Sequence, residues 1–533
     1  MTSAILTDDV KLEILRLVND KLSLRAIARE LNISKTTVGN FLSKETYADW
    51  WATHEKPIAS GSLHDHYHQI KKLPGNRFIL TSAQNSTYVH AKFLASLETM
   101  AKSIDATILV GTFSYNVDGF QNLQKSEGEW FDSKIKKYIV DEPIQLAEDL
   151  IWCGELNVIP TAVNPLSGFH SYTKNCSGII PHAKVQLESL PTAKDEPVRI
   201  LYTTGAVTQR NYIQKKSGQK ASFHHIFGAL IVEIDNDGDW FVRQLIADTE
   251  TGEFYDLDRL YTPTGVSIAR RVEAINWGDI HAEKYDAKVY AASFGNKGSM
   301  IDSLMPKFQL VHDVLDMQAR NHHTINDPYV KFALYVQNKD WVSEDVARVS
   351  NVLELMDRDF CRTVIVESNH DLALQRWLKT ADYKTDPANA LFFLDCQLAT
   401  YNAIADGDQE FSVFKYALTK HNPKLSKVKF LRTDESFMIC GKDGIECGAH
   451  GHLGNNGARG SINAYQKLGT RYNIGHSHSA NIRDGVYQAG VSAKMDMGYN
   501  QGGSSWSHSH IVTYANSKRT IVTLKNGKWK ASI

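Results

Sequence analysis

The chain opens on apolar positions at helical spacing. Val10, Ile14, Leu17 and Val18 share one face of a predicted helix that Asp8 or Asp9 can cap. A second short helix, SLRAIARELN, follows Leu22 with Ser23 as its cap, and a third begins at Ser34 in ISKTTVGNFLSKE. Residues 52–75 lose this periodicity and collect Pro57, Ser60, Gly61, Ser62, Pro74 and Gly75, a linker composition. From Arg77 the pattern changes to short β-branched runs alternating with helical stretches. FILTS, a helix around YVHAKFLASLETMAKS, and ATILVGTF make one β-α-β unit. VRILYTTG, FGALIVEID, DWFVRQLIAD and GEFYDL read as strands, with a turn at Asp235-Asn236-Asp237-Gly238. Alternation of strands and helices resumes near Val272.

The predicted class is therefore α/β in four segments: helices over 1–51, a linker over 52–75, a middle α/β domain over 76–268, and a C-terminal domain over 269–533. A chain of 533 residues with 42% hydrophobic content is long enough for several apolar cores. Lys and Arg number 59 against 60 Asp and Glu, a net charge of −1, which excludes a chain that coats nucleic acid by bulk charge. None of the six cysteines forms a C-x-x-C pair, so no zinc knuckle or disulfide framework is expected. The N-terminus lacks a signal-peptide pattern, and no run of about 18 apolar residues occurs, so a soluble cytoplasmic protein with no membrane partner is expected.

The stretch LSLRAIARELNISKTTVGNFLSK resembles the helix-turn-helix family. Ile27, Leu31, Ile33, Val38 and Phe41 would form its small core, with Ala28 where the helices approach and Asn32 in the turn. The second helix of that motif would offer Lys35, Thr36, Thr37, Asn40 and Lys44 to DNA. Residues 21–44 carry five bases (Lys21, Arg25, Arg29, Lys35, Lys44) against the single acid Glu30, a net of +4. A three-helix protein-binding module has the same spacing. One copy makes few phosphate contacts, so useful DNA affinity calls for a second DNA site or a homo-oligomer.

The strongest chemistry lies after residue 269. Strand-like Val272–Ile275 leads into Trp277-Gly278-Asp279-Ile280-His281, Phe308–Val311 into His312-Asp313-Val314-Leu315-Asp316, and Thr363–Val366 into Glu367-Ser368-Asn369-His370-Asp371. Gly448-Ala449-His450-Gly451-His452 and Gly475-His476-Ser477-His478 follow. Loops at the carboxyl ends of strands are where α/β sheets place their sites. The order D-x-H, G-D-x-x-D, G-N-H-D/E, H-G, G-H-x-H resembles the calcineurin-like metallophosphoesterases over about residues 270–500. His312 and Ser368 stand where that pattern has glycines.

The resemblance implies a four-layer sandwich and two divalent ions, about 3.5–4 Å apart, that need a shared carboxylate. Asp313 would be that carboxylate, Asp279, His281 and His478 would complete one shell, and Asn369, His450 and His476 the other. His370 would act as general acid with Asp371 orienting its ring. Manganese is the expected metal, with iron, zinc and magnesium compatible with N and O ligands. His452 would lie beside the site. Arg320, Asn321, His322 and His323 follow the bridging aspartate and are candidates for gripping phosphate, or else a polar surface loop. His64, His66 and His68 read as solvated linker, His508 and His510 as part of a strand, and His224 and His225 as residues that reach the site only if the middle domain folds over it.

Together these features predict a metal-dependent DNA phosphodiesterase of the nuclease branch, with DNA as partner. The segments IPTAVNPLSGFHSYT and TTGAVTQRNY resemble phage-encoded DNA-transfer or early host-DNA-degrading proteins, which would place it in the host cytoplasm. The competing readings are a nucleotide or phosphoprotein phosphatase whose helical head binds protein, and a DNA-binding regulator with a structural metal site.

Overall fold

The structure is a computed structural model that describes residues 6–19, 22–43, 70–115, 130–194, 196–295, 298–321, 323–442, 444–498 and 500–532. It separates into two compact units, Met1–Gln69 and Ile70–Ile533.

The first unit contains the helices Asp8–Asn19, Leu24–Glu30 and Lys35–Ser43. Ser23 caps the second by accepting from Ala26 N, and Ser34 Oγ accepts from Thr37 N at the start of the third. Asn32 sits between them at φ 51°, a left-handed conformation that Asn tolerates. Ile14, Leu17, Ile27, Ala28, Val38 and Phe41 are buried together, while Leu31 and Ile33 are half-buried against them. Val18, expected on the apolar face, is 36% exposed. The expected linker falls largely outside the described residues, as do His64, His66 and His68. Its last part is structural, because Lys71–Lys72 pairs in parallel with Ile144 and Gln145.

The second unit is mixed α/β and is built on two facing sheet surfaces. One is a six-stranded sheet in the order Lys429–Leu431, Arg362–Val366, Phe308–His312, Ala274–Asn276, Ser509–Thr513, Arg519–Thr523. Its first four strands are parallel and read as near-continuous apolar runs because both faces are covered. Ile275, Val311 and Ile365 pack under helices through Val289, Leu353, Leu374 and Leu418. The alternate residues Ala274, Leu310 and Val364 pack against Ile439, Ile445 and Cys447 of an eleven-stranded sheet. A four-stranded sheet, Trp240–Ile246, Gly228–Ile234, Arg77–Gln84 and Thr107–Phe113, contains the predicted β-α-β unit, with the Ala91–Ile104 helix on its outer face. Gln244 of this sheet accepts from Ile521 N at 2.8 Å, so the four- and six-stranded sheets meet side by side.

The predicted boundary at 268/269 does not divide the unit. Leu187–Leu190 pairs with Asn481–Arg483 inside the eleven-stranded sheet, and Ser189 Oγ donates to Ala480 O at 2.8 Å. Segments 76–268 and 269–533 therefore share one sheet and one buried face, a non-local pairing that hydrophobic periodicity cannot reveal. In this second unit helices pack over the paired sheets and these over the long sheet, whose outer face carries the short Ile462–Tyr465 helix. Residues 269–533 are therefore not a separate domain, because their strands complete a sheet begun by residues 76–268.

Candidate metal centre

Each predicted ligand lies in a loop that leaves a strand end. Gly278 N donates to His510 Nδ1 at 2.9 Å, and the other nitrogen of that ring lies 2.8 Å from Ser293 Oγ, which anchors the turn into Asp279. His281 N donates to Asp313 O, tying the first two loops together. Gly475 permits a close approach, since a Cβ there would stand 2.3 Å from Asp279 Oδ1. His281, Asp313, His476 and His478 have φ of 44°, 44°, 75° and 58°. Left-handed backbone at a non-glycine residue costs about 1–3 kcal/mol and persists where surrounding structure enforces it, commonly at functional sites. Four of the seven predicted ligands carry that strain.

The side chains converge into two buried groups. Asp279, His281, Asp313 and His478 bring one ligand atom each within 4.8 Å of one another, and Asp313, His450 and His476 do the same. Asp313 belongs to both. His281 Nε2 and His478 Nε2 are 3.1 Å apart, Asp279 Oδ2 is 3.2 Å from His478 Nε2, and Asp313 Oδ2 is 3.3 Å from His450 Nε2. Among the described residues, Oδ1 of Asp279, Asp313 and Asn369 is buried without a hydrogen-bond partner. Such orphaned acceptors are costly unless a cation or donor meets them. The donor set of carboxylate, amide and imidazole fits hard to borderline divalent ions.

The electrostatics point the same way. Burial works to lower His450, but the charges of Asp313 and Asp279 outweigh it and push it up to about 9. His281 is likewise pushed up to about 9, burial being overcome by Asp316 and Asp313. Burial would raise Asp313, yet the charges of His450 and His370 hold it well below the usual carboxylate range. The carboxylates thus demand positive charge, which protonated histidines supply in the metal-free protein.

Asp371 does not orient His370. Its Oδ1 accepts from Val314 N and Leu315 N at 3.1 Å each, and its Oδ2 from Ser368 Oγ at 2.9 Å. It braces the loop behind Asp313, with Ser368 locking it in place. The carboxylate facing His370 is Asp316, whose Oδ1 lies 3.4 Å from His370 Nδ1. Asp316 is in turn placed by half-buried Glu283, which accepts from Asp316 N and Met317 N at 2.9 Å.

Among the candidate phosphate contacts, Arg320 is committed elsewhere, forming a two-pronged pair with Asp386 at 2.7 and 2.6 Å. Asn321 is buried and donates to Asp316 O, His323 is exposed, and His322 lies outside the described residues. His452 does stand beside the site, its ring 5.4 Å from that of His450. His312 is buried with its ring 5.5 Å from the same His450 ring. His225 is held by Tyr212 and Thr208 in its own core. In the N-terminal unit Lys35, Thr36 and Asn40 are exposed, and Thr37 is occupied with Ser34 at 2.7 Å. Lys44 lies outside the described residues.

Three contributors escaped the sequence reading. His510 mimicked a metal-binding spacing but buttresses the Asp279 turn. Trp506 packs its ring 4.2 Å from His478 and gave no periodic signal in a Gly- and Ser-rich run. Arg376, seven residues after Asn369, donates from Nη2 to Asn369 O at 2.5 Å and is exposed. Its place one turn into the Ala373–Thr380 helix was the available signal. A cavity of 270 Å³ lined by His450, His452, Glu367, Glu435, Tyr465 and Tyr472 opens next to the centre.

The architecture and centre define an α/β protein with buried His/Asp clusters able to bind metal. No family model matches the chain, and no solved structure matches it. Protein A1 of Escherichia phage T5 is 47% identical over 486 residues, covering 90% of this chain and 87% of that protein. The chain belongs to the family of phage T5 protein A1. No helix among the described residues is long and apolar enough to cross a membrane.

Proposed function

We propose that this protein is a metal-dependent DNA phosphodiesterase, a nuclease of the calcineurin-like metallophosphoesterase type, acting in the host cytoplasm. The observation that carries the reading is the pair of buried ligand groups sharing Asp313. The order of its motifs and their position at strand ends agree with that superfamily. Asp279, His281, Asp313 and His478 would hold one ion, and Asp313, Asn369, His450 and His476 the other. Manganese is the proposed metal. Bound divalent ions at such a centre polarise a phosphoryl oxygen and lower the pKa of water.

The remaining work falls to the chain. Asp316 Oδ1 lies 3.4 Å from His370 Nδ1 and would position the ring so that its other nitrogen serves as proton donor to the leaving oxygen. Asp371 and Ser368 keep the Asp313 loop rigid. Arg376, anchored on the Asn369 carbonyl, is the proposed phosphate-gripping residue in place of Arg320. The exposed Lys35, Thr36 and Asn40 would bind DNA through the N-terminal unit.

The test is cleavage of plasmid and linear DNA with Mn²⁺, with and without chelator, by wild type and Asp313→Ala. Metal-dependent cleavage lost in the variant is expected. Cleavage that persists in Asp313→Ala overturns the assignment. Turnover of small phosphomonoesters without DNA cleavage would favour a phosphatase, and tight DNA binding with no hydrolysis a regulator.

A further inference from the structure

Two helices carry apolar side chains that nothing among the described residues covers. The Pro328–Val336 helix buries only Leu334, while Tyr329, Phe332 and Tyr335 are 85%, 67% and 71% exposed. Its start is nevertheless firmly specified, with Pro328 in the first turn and Asp327 accepting from Tyr329 N and Val330 N. A nine-residue helix is marginal in water on its own, so an arm with one buried residue calls for a partner.

The Ala390–Ala405 helix is apolar on both sides. Phe393, Cys396 and Ala403 face the core, while Leu391, Leu398 and Tyr401, at helical spacing, are 85%, 62% and 64% exposed. A helix apolar all round belongs in an interior.

The two helices are tied at one end. Asn389, just before the second helix, donates to Asp340 O at 2.9 Å and accepts from Val342 N at 2.8 Å, just beyond the arm. Their exposed apolar side chains amount to about 1,000 Å², taking ~150–250 Å² for each large aromatic. Arm and platform together match the ~800 Å² per partner of a stable interface. Lys331 and Asp395 are the charged residues on these helices, and Asp395 is paired with Lys420, so the face lacks the charge a nucleic acid or acidic peptide would need.

We infer that this face binds a second copy of the same chain, the Pro328–Val336 arm of each protomer lying on the Ala390–Ala405 helix of the other. An apolar arm beside an apolar platform on one chain is self-complementary, and a two-fold exchange buries both at once. The inference is independent of the proposed activity.

The test is the mass in solution of the full chain at tens of micromolar, by light scattering and sedimentation. Wild type is expected at twice the chain mass or more. Phe332→Asp and Leu398→Asp should each weaken self-association at least tenfold, with unchanged circular dichroism and thermal midpoint showing that they remain folded. Mixing the two variants should restore association, because one arm–platform contact in the mixed pair is then fully wild type. A monomeric wild type overturns the inference. Folded variants that associate like wild type, or a mixture that fails to recover, also overturn it.

Discussion

Asp316 faces two histidines of the centre at once, its Oδ1 lying 3.3 Å from His281 Nδ1 and 3.4 Å from His370 Nδ1. One carboxylate oxygen thus stands beside a proposed metal ligand and the proposed general acid, and under the proposed function it would couple metal binding to proton transfer.

Asp316→Asn should lower kcat about 10²-fold, within the range of general-acid catalysis, and shift the alkaline limb of the pH–rate profile. Asp371→Asn should instead lower the thermal midpoint, because its contacts are to the Asp313 loop and Ser368. A larger shift of the pH profile in Asp371→Asn than in Asp316→Asn would reverse the two roles.

Metal removal should expose the charge balance of the centre. His281 and His450 are each pushed up to about 9 in the metal-free protein. Raised histidines contribute stability that is fully present below the unfolded pKa of about 6.5 and lost as pH rises through about 9. Chelated protein should therefore lose thermal stability between those values, while Mn²⁺ stabilisation grows as the imidazole protons leave. Ligand at 100 times its Kd adds about 2.7 kcal/mol, a shift of several degrees by scanning calorimetry. Asp313→Ala should show no Mn²⁺-dependent shift.

Arg376→Ala should reduce kcat/KM on DNA about tenfold, mainly through KM, since Arg376 reaches the centre without belonging to its buried ligand groups. Arg320→Ala should leave KM unchanged and lower stability by breaking the pair with Asp386. Steady-state kinetics beside thermal denaturation separates the two, and equal effects on KM would refute the distinction.

Lys35→Ala should weaken DNA retention, measured by fluorescence anisotropy, and reduce the salt slope by about one. Cleavage at saturating DNA should be unchanged. An unaltered salt dependence would assign the N-terminal helices to protein rather than DNA.

Much of this protein was legible from local pattern. Ser23, Asn32 and the Ile27–Phe41 spacing specify the N-terminal helices, because caps and helical periodicity act within a few residues. The β-α-β unit from Arg77 and the apolar parallel strands feeding Asp279, Asp313 and Asn369 were equally visible, as was Asp313 as the shared residue. Motif order alone identified six residues that the fold gathers into two groups. The short strands Leu150–Cys153 and Ser177–Ile180 escaped notice because every position is buried, which erases the alternation that marks a strand.

Tertiary structure decided the rest. The joining of residues 76–268 to 269–533 depends on strands some 290 residues apart pairing edge to edge, as Glu188 does with Asn481. The exchange of Asp371 for Asp316 beside His370 depends on which loop each carboxylate reaches, although Asp371 is the sequence neighbour. Arg320 was claimed by Asp386, and His510, read as part of a strand, also became the brace of the Asp279 turn. Residue type and spacing determine which atoms are able to bind a cation or donate a proton. Which of them meet is set by long-range packing, where a buried charge goes to whichever partner removes its desolvation cost.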